Sequence, residues 1–422
     1  TPMLSRALVV LVGRESTPGT TATSMRPLRV EGEQLPLGDT ATEMLANERS
    51  SAYQHDAAAH VKGLQRRSPV KLAMVAKYPP VQLSTLVTAP VAITNAAALS
   101  QELIYEHWLG GRVSSTGSLV DGASSTVNTI DVTASHGSRF TAGQIAIFYV
   151  AGVPVPRQIT GISTDELAIY PDLSAGPAAA QVVLGSRTFH RAESHTQTLT
   201  VEAANTESGT PAAQQRGRMV RGQCAWTAEI GQRAMLAFDG VSQAHDLGDL
   251  SISYADVADD MGADVVWQGA SYLWSTAITT APTAVCIEKL TVTVPNTWRE
   301  QACLSGTEGA AGVVMTGGRT PPTVEVTMRW DSQGAAMMAG YTAGTEYSLL
   351  AYATRGTGTA QTWAGWFAAR MAFDAEPART IVDGEVMVVC KFRCLANTLA
   401  AGSPLSSSST DAERSPIVFF LA

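Results

Sequence analysis

Hydrophobic and polar positions alternate along most of this chain with a period of two, which predicts strands rather than helices. The clearest case is Val324, Val326, Met328 and Trp330 set against Glu325, Thr327, Arg329 and Asp331, a strand with one buried and one wet face. Residues 4–12 read as a first strand and Val70–Tyr78 as another, followed by an apolar segment Val81–Leu86 and a short helix over Ala96–Trp108. Further on, Thr198–Glu202, Cys224–Trp226 and Ala234–Phe238 are strands, the last two joined by a turn at Ile230-Gly231-Gln232. The second half repeats this order. Val324–Trp330 is followed by Gln333–Ala339, and Trp366–Ala368 and Met387–Phe392 flank a turn at Asp383-Gly384-Glu385. A duplicated β module points to an assembly protein, because two linked copies can occupy two equivalent places in a ring.

Between the strand and the closing pair of the first half lies a separate β pattern. Thr129–Thr133, Gln144–Val150, Arg157–Thr160, Leu167–Tyr170 and Gln181–Leu184 are five short strands with turns at Gly137, Gly143, Gly152-Val153-Pro154 and Ser174–Pro177. They predict a small barrel or sandwich inserted into the first module. The expected fold is all-β with a few short helices. Its parts are a discontinuous first domain (1–109 and 188–245), an inserted domain (110–187), a Gly/Asp-rich linker (246–269) and a second domain with a C-terminal arm (270–422). The polar stretch from Arg29 to Lys62 has little core periodicity, and Asp39–Glu43 within it resembles a helix start. Long connections of this type are usually functional. Its apolar residues Leu35, Leu37, Met44 and Leu45 are therefore candidate contacts between subunits or rings.

Composition sharpens this picture. Over 422 residues the charged fraction is only 16%, and the net charge is −8. Such a balance argues against stable binding to a nucleic-acid backbone, which needs basic patches, but suits a wall that DNA slides along. Glu202, Glu325, Thr327 and Glu385 are candidate wall positions on wet faces. The five cysteines form no CxxC pair, and Cys390 and Cys394 sit about 13 Å apart along one strand at ~3.3 Å per residue, too far for a disulfide. The seven histidines form no HExxH motif and no zinc-like array. No nucleophile elbow, Walker loop or dinucleotide fingerprint is present, so no catalytic, cofactor or metal residue is assigned and no enzyme activity is expected. Ala7–Val12 is too short to span a membrane.

Two stretches carry a family resemblance. Leu8–Thr20, with Glu15-Ser16-Thr17-Pro18-Gly19-Thr20, looks like the N-terminal strand and Glu-x-x-x-Gly-Thr turn of bacteriophage tail tube (major tail) proteins. Arg221-Gly222-Gln223-Cys224 through Gly231-Gln232-Arg233-Ala234 to Phe238 resembles that family's Gly-rich approach, strand, turn and strand ending in an aromatic. The inserted module, with Phe140–Gln144 and Leu173–Ala178, is similar to small β modules of such virion proteins. The resemblance implies a tail tube of a long-tailed phage, assembled in the host cytoplasm and located in the virion tail. It implies homotrimeric, pseudo-sixfold rings stacked into a conduit for genome ejection, with a hexamer of whole chains as the alternative. Implied partners are other copies of the chain, the tail tip or baseplate and terminator proteins, a tape measure protein during assembly, and passing double-stranded DNA held without specific contacts. No membrane and no cofactor is implied. Another virion decoration protein or a carbohydrate-binding adhesion module is the second reading, and a hydrolase on a β scaffold the third.

Overall fold

The computed structural model describes residues 8–31, 41–43, 65–79, 99–122, 124–205, 212–251, 262–267, 271–275, 283–302, 310–316, 320–357, 361–382, 384–397, 399–400, 403–404 and 410–422. The chain is mostly β. A front sheet runs in the order β4 (Gln65–Val75), β16 (Met235–Ser242), β15 (Ala212–Glu229), β20 (Lys289–Val294), β23 (Thr323–Arg329), β27 (Glu385–Leu395) and β26 (Ala378–Val382), every neighbour antiparallel. At its first-half margin β3 (Ala41–Glu43) pairs with the start of β4. Behind it a middle sheet orders β5 (Gly110–Ser114), β12 (Arg187–Arg191), β30 (Val418–Leu421), β25 (Thr362–Phe373), β24 (Tyr347–Arg355), β18 (Ser271–Ser275) and β19 (Thr283–Ala284). The far end of β25 pairs with β27, closing the two sheets on one side.

Burial follows the sequence pattern. On β23 every second residue is buried, so only one face of the front sheet meets the core. The central strands of the middle sheet, β24, β25 and β30, are covered on both faces and read as near-continuous apolar runs such as Val418-Phe419-Phe420-Leu421. Its inner face, with Trp366 and Phe419, shares the main core with Leu72, Trp226, Val292, Val326 and Phe392 of the front sheet. Helix α1 (Ser100–Leu109) contributes Tyr105 and Trp108 to that core, and the Tyr105 ring stacks on Phe419 with centroids 4.2 Å apart.

The outer face of the middle sheet carries a third layer. β6 (Ser118–Leu119), β11 (Val182–Leu184), β8 (Ile145–Val150), β9 (Val153–Ser163), β10 (Glu166–Tyr170) and β7 (Thr129–Asp131) pair in that order, and a Val120–Val132 bridge closes the ring into a small barrel. Its interior holds Ile130, Phe148, Ile159 and Leu167. Its flank, Ile145, Ile147, Tyr149 and Tyr170, packs on Leu350, Tyr352, Trp363, Phe367 and Phe420. β5, placed in the inserted unit by sequence, pairs with β12 in the middle sheet instead, so the smaller sheet starts only after Ser114 and ends before Arg187.

A side sheet of β2 (Met25–Leu28), β1 (Leu8–Arg14), β14 (Leu199–Asn205), the first half of β15 and β17 (Ala244–Ser251) branches from the front sheet. A three-stranded sheet joins β13 (Ser194–His195), β22 (Ala310–Thr316) and β21 (Thr297–Ala302), and β28 (Leu399–Ala400) pairs with β29 (Ser403–Pro404). Helices α2 (Ser332–Ala343) and α3 (Asp411–Arg414) complete the described elements.

Three expectations need correction. Residues 41–43 form a strand rather than a helix start, because the edge of β4 offers them a ladder. The Gly384 turn, at φ +83, joins β27 to β26, a strand the sequence reading passed over, and not to β25. The stretch expected to be a linker contributes β17 and also the buried Val265 and Trp267, whose backbones bond to Ala76, Ala234 and Gln232.

The duplication takes a specific form. Hairpin β15–β16 turns at Gly231 (φ +74) and lays β16 on β4; hairpin β26–β27 turns at Gly384 and lays β27 on β23. The two units stand side by side, joined where β15 pairs with β20 from Cys224–Val294 to Glu229–Lys289.

Candidate functional site

The front sheet's outer face is built by alternation: while Leu72, Phe238, Trp226, Val292 and Val326 point into the core, their neighbours point away from it. In register across five strands stand Ala73, Ala237, Ala225, Thr293 and Thr323, a row of small side chains. Charges flank this row in opposed positions. Lys71 lies opposite Asp239, Glu229 opposite Lys289, and Glu325 opposite Lys391. Lys289 Nζ is 3.8 Å from Glu229, and Arg329 Nε reaches Glu288 at 2.7 Å and Glu385 at 3.2 Å. Exposed pairs of this sort are screened by solvent and add little to stability. What they set is the local potential.

Three of the four proposed wall residues lie on or beside this face: Glu325 is exposed, Thr327 half-buried, and Glu385 exposed at the start of β27. Glu202 does not. It is 1% exposed in the side sheet, faces Arg216 across the ladder and bonds to its guanidinium, while burial pushes its carboxyl above the usual range. Nor is the face acidic. Its described strands carry Glu229, Asp239, Glu325 and Glu385 against Lys71, Lys289, Arg329, Lys391 and Arg393. Lys77 is bound to Asp264 rather than held on the wall. Leu35, Leu37, Met44 and Leu45 lie outside the described residues.

The front sheet ends in an open margin. β26 pairs with β27 alone among the described residues, and all five of its residues are exposed. Ile381 is 73% exposed, with Val382 and the facing Val386 close to half. The Arg379 guanidinium lies over the Trp330 ring at 4.0 Å.

Two interior features bear on the chemistry. Glu15 is buried and its carboxylate accepts from the Gly19 N–H at 2.8 Å, the Met219 N–H at 2.8 Å, the Thr198 hydroxyl at 2.6 Å and the Thr200 hydroxyl at 3.0 Å. Burial still raises its pKa, with those four bonds acting the other way. Met219, at φ +50, marks where β15 passes from the side sheet into the front sheet, so the Glu-x-x-x-Gly-Thr turn holds that bend. The second is His107, stacked on Trp298 at 5.0 Å, with His195 edge-on to the same ring at 5.3 Å. Sequence had set all seven histidines aside, and spacing could not have joined these two: one is on α1 and the other on β13. Burial lowers His107 to about 3 and His195 to about 4. Their Nδ1 atoms meet the Gln197 carbonyl and N–H, at 3.1 and 3.2 Å.

Among the described residues, no group of three His, Cys, Asp or Glu is placed to hold a metal. The Cys224, Cys390 and Cys394 thiols are free and buried, each pushed upward by desolvation. No described helix is long and apolar enough to cross a membrane. Compared with known proteins, the chain matches no family model and no curated protein.

Proposed function

We propose that this chain is a tail tube protein of a long-tailed phage, three copies closing into a pseudo-sixfold ring and stacked rings forming the conduit for the genome. The observation that carries this reading is the pair of equivalent hairpin units set side by side in one seven-stranded sheet whose outer face is polar, smooth and charge-balanced. Head-to-tail repetition of such a sheet generates a closed ring when the rotation fits. Three copies supply twenty-one strands. At ~4.8 Å between strands and a tilt near ~40°, the backbone circumference is ~130 Å, giving a diameter near ~40 Å. Side chains narrow that to ~30 Å, which still admits a duplex about 20 Å across. In this arrangement the small barrel, the third layer counted from the polar face, lies on the outside. The reading as an adhesion module gains nothing from the barrel: its aromatic residues Phe140, Phe148, Tyr149 and Tyr170 are all buried, leaving no stacking platform for a sugar.

Negative-stain electron microscopy of the purified chain is the test. The expected result is rings or tubes in which three chains give six repeats around the axis. A stable monomer at every concentration overturns the proposal, and a ring of six whole chains overturns the reading of the duplication.

A further inference from the structure

The junction between the two halves shows what a covered unit looks like. There β15 is paired by β20 over six residue pairs. Helix α1 is tied to the same second-half segment: the Trp108 indole N–H donates to the Val294 carbonyl at 2.9 Å, and the Asn296 amide donates to the Trp108 carbonyl at 2.7 Å. Nine of the ten residues of α1 are buried.

Among the described residues, the counterparts in the second unit have no such cover. β26 stands where β15 stands, on the far side of its hairpin, yet no described strand pairs with its outer edge. In a hairpin closed by Val382 and Glu385, bonded pairs alternate, so Arg379 and Ile381 turn their backbone N–H and C=O toward that edge. Helix α2 follows β23 as α1 follows β4, but only Gly334, Met337 and Gly340 of its twelve residues are buried. It carries no charged residue, and Tyr341 is exposed on it. An uncharged helix and an open strand ending in the exposed Ile381 and Val382 are what solvent-facing surfaces normally avoid.

We infer that β26 and α2 together form a docking surface for a second copy of this chain, which seats the first-half margin of its front sheet, at β3 and β4, on them as β20 and Asn296 seat on β15 and α1 within the chain. The occupant is a second copy because the missing cover is the one the internal junction already supplies, and the contact is heterologous because the two margins differ. The inference rests on the ring reading and adds the surface that joins one chain to the next.

Ile381→Glu and Ala339→Glu each place a carboxylate on this surface at an exposed position, and glutamate suits a helix. Both are compared with Val153→Glu on the small barrel, which is 61% exposed and distant. Sedimentation is read beside melting temperature, and hydrogen exchange of amides 378–382 is followed before and after assembly. The expected result is at least tenfold weaker association for the first two variants with unchanged melting, normal assembly for Val153→Glu, and slowed exchange of the β26 amides in assembled wild type. If rings form equally well from all three variants and the β26 amides stay fast, the surface is wrong and the tube reading stands. Wild-type assemblies that are not rings but are dissolved by the first two variants keep the surface and remove the tube. A chain that never associates overturns both.

Discussion

Glu15 shows how a short motif acquires its meaning from distant partners. Sequence displays Glu-x-x-x-Gly-Thr, and the Gly19 bond is local, but Thr198, Thr200 and Met219 join it across about 180 residues or more. Replacing Glu15 with Gln turns an acceptor-only group into one that also donates, so at least one of the four donors loses its partner. The expected loss is roughly 2–4 kcal/mol, read by denaturant unfolding, with the bend at Met219 loosened. The buried histidines give a pH dependence of definite sign. Their folded pKa values lie below the ordinary 6.5, so as pH falls from 6.5 toward 4 the unfolded chain takes up protons that the folded one refuses, and stability drops. Each contributes a loss of order 2 kcal/mol at pH 5. Glu15 and Glu102, raised by burial, work the other way on acidification, so the test is a difference. His107→Phe keeps a ring on Trp298 and removes one titration. Its melting temperature should fall less between pH 7 and pH 5 than the wild type's. An equal fall would remove His107 from the account.

At the scale of elements, what the sequence disclosed depended on how many faces of a strand are buried. β23, wet on one side, is legible from alternation alone, and five of the six barrel strands are legible between their glycine turns, the two-residue β6 being the exception. β26 was missed because Ala378–Val382 is exposed throughout and has no periodicity to read. Residues 41–43 were misread because three residues carry less local preference than a waiting strand edge supplies. Helix α2 covers the Gln333–Ala339 segment that follows the β23 strand in the repeated order, and its closeness to the sheet is set by glycine. A Cβ at Gly340 would stand 1.8 Å from the Tyr347 hydroxyl. Gly340→Ala should therefore destabilise the chain despite a gain of about 1 kcal/mol in helix propensity. Part of that loss should vanish in a Tyr347→Phe background. A double-mutant cycle measures this coupling, and additive effects would mean the helix shifts freely to relieve the contact.

Over the whole molecule, the layers decide which parts can be removed and what the open face can do. The small barrel shields the outer face of the middle sheet, where Leu350, Trp363, Phe367 and Phe420 are buried beneath it. Excising residues 115–186 behind a Gly/Ser linker should give an aggregating chain rather than a soluble two-sheet core, whereas a soluble, folded product from that deletion would make the barrel a detachable appendage. The front face poses the converse question, since it is open by construction. Net charge suggested an acidic wall, but the cross-strand partners Lys71 with Asp239, Lys289 with Glu229 and Lys391 with Glu325 leave it close to neutral. Affinity for a duplex depends on how many phosphates are neutralised and how many counterions are released, so a face whose cations already stand opposite carboxylates offers little net gain. Assembled wild-type protein should retain no duplex DNA even at low salt. The double variant Asp239→Asn, Glu325→Gln removes two of the opposing carboxylates, leaving Lys71 with none across the ladder and Lys391 with Asp374 alone at 3.7 Å, a change repeated three times in the proposed ring. Duplex DNA should then bind at low salt, and the affinity should fall steeply as salt rises, with a log–log slope of about −0.9 per phosphate contacted. Binding by the wild type with the same slope would mean that the balanced face is not the one the DNA meets.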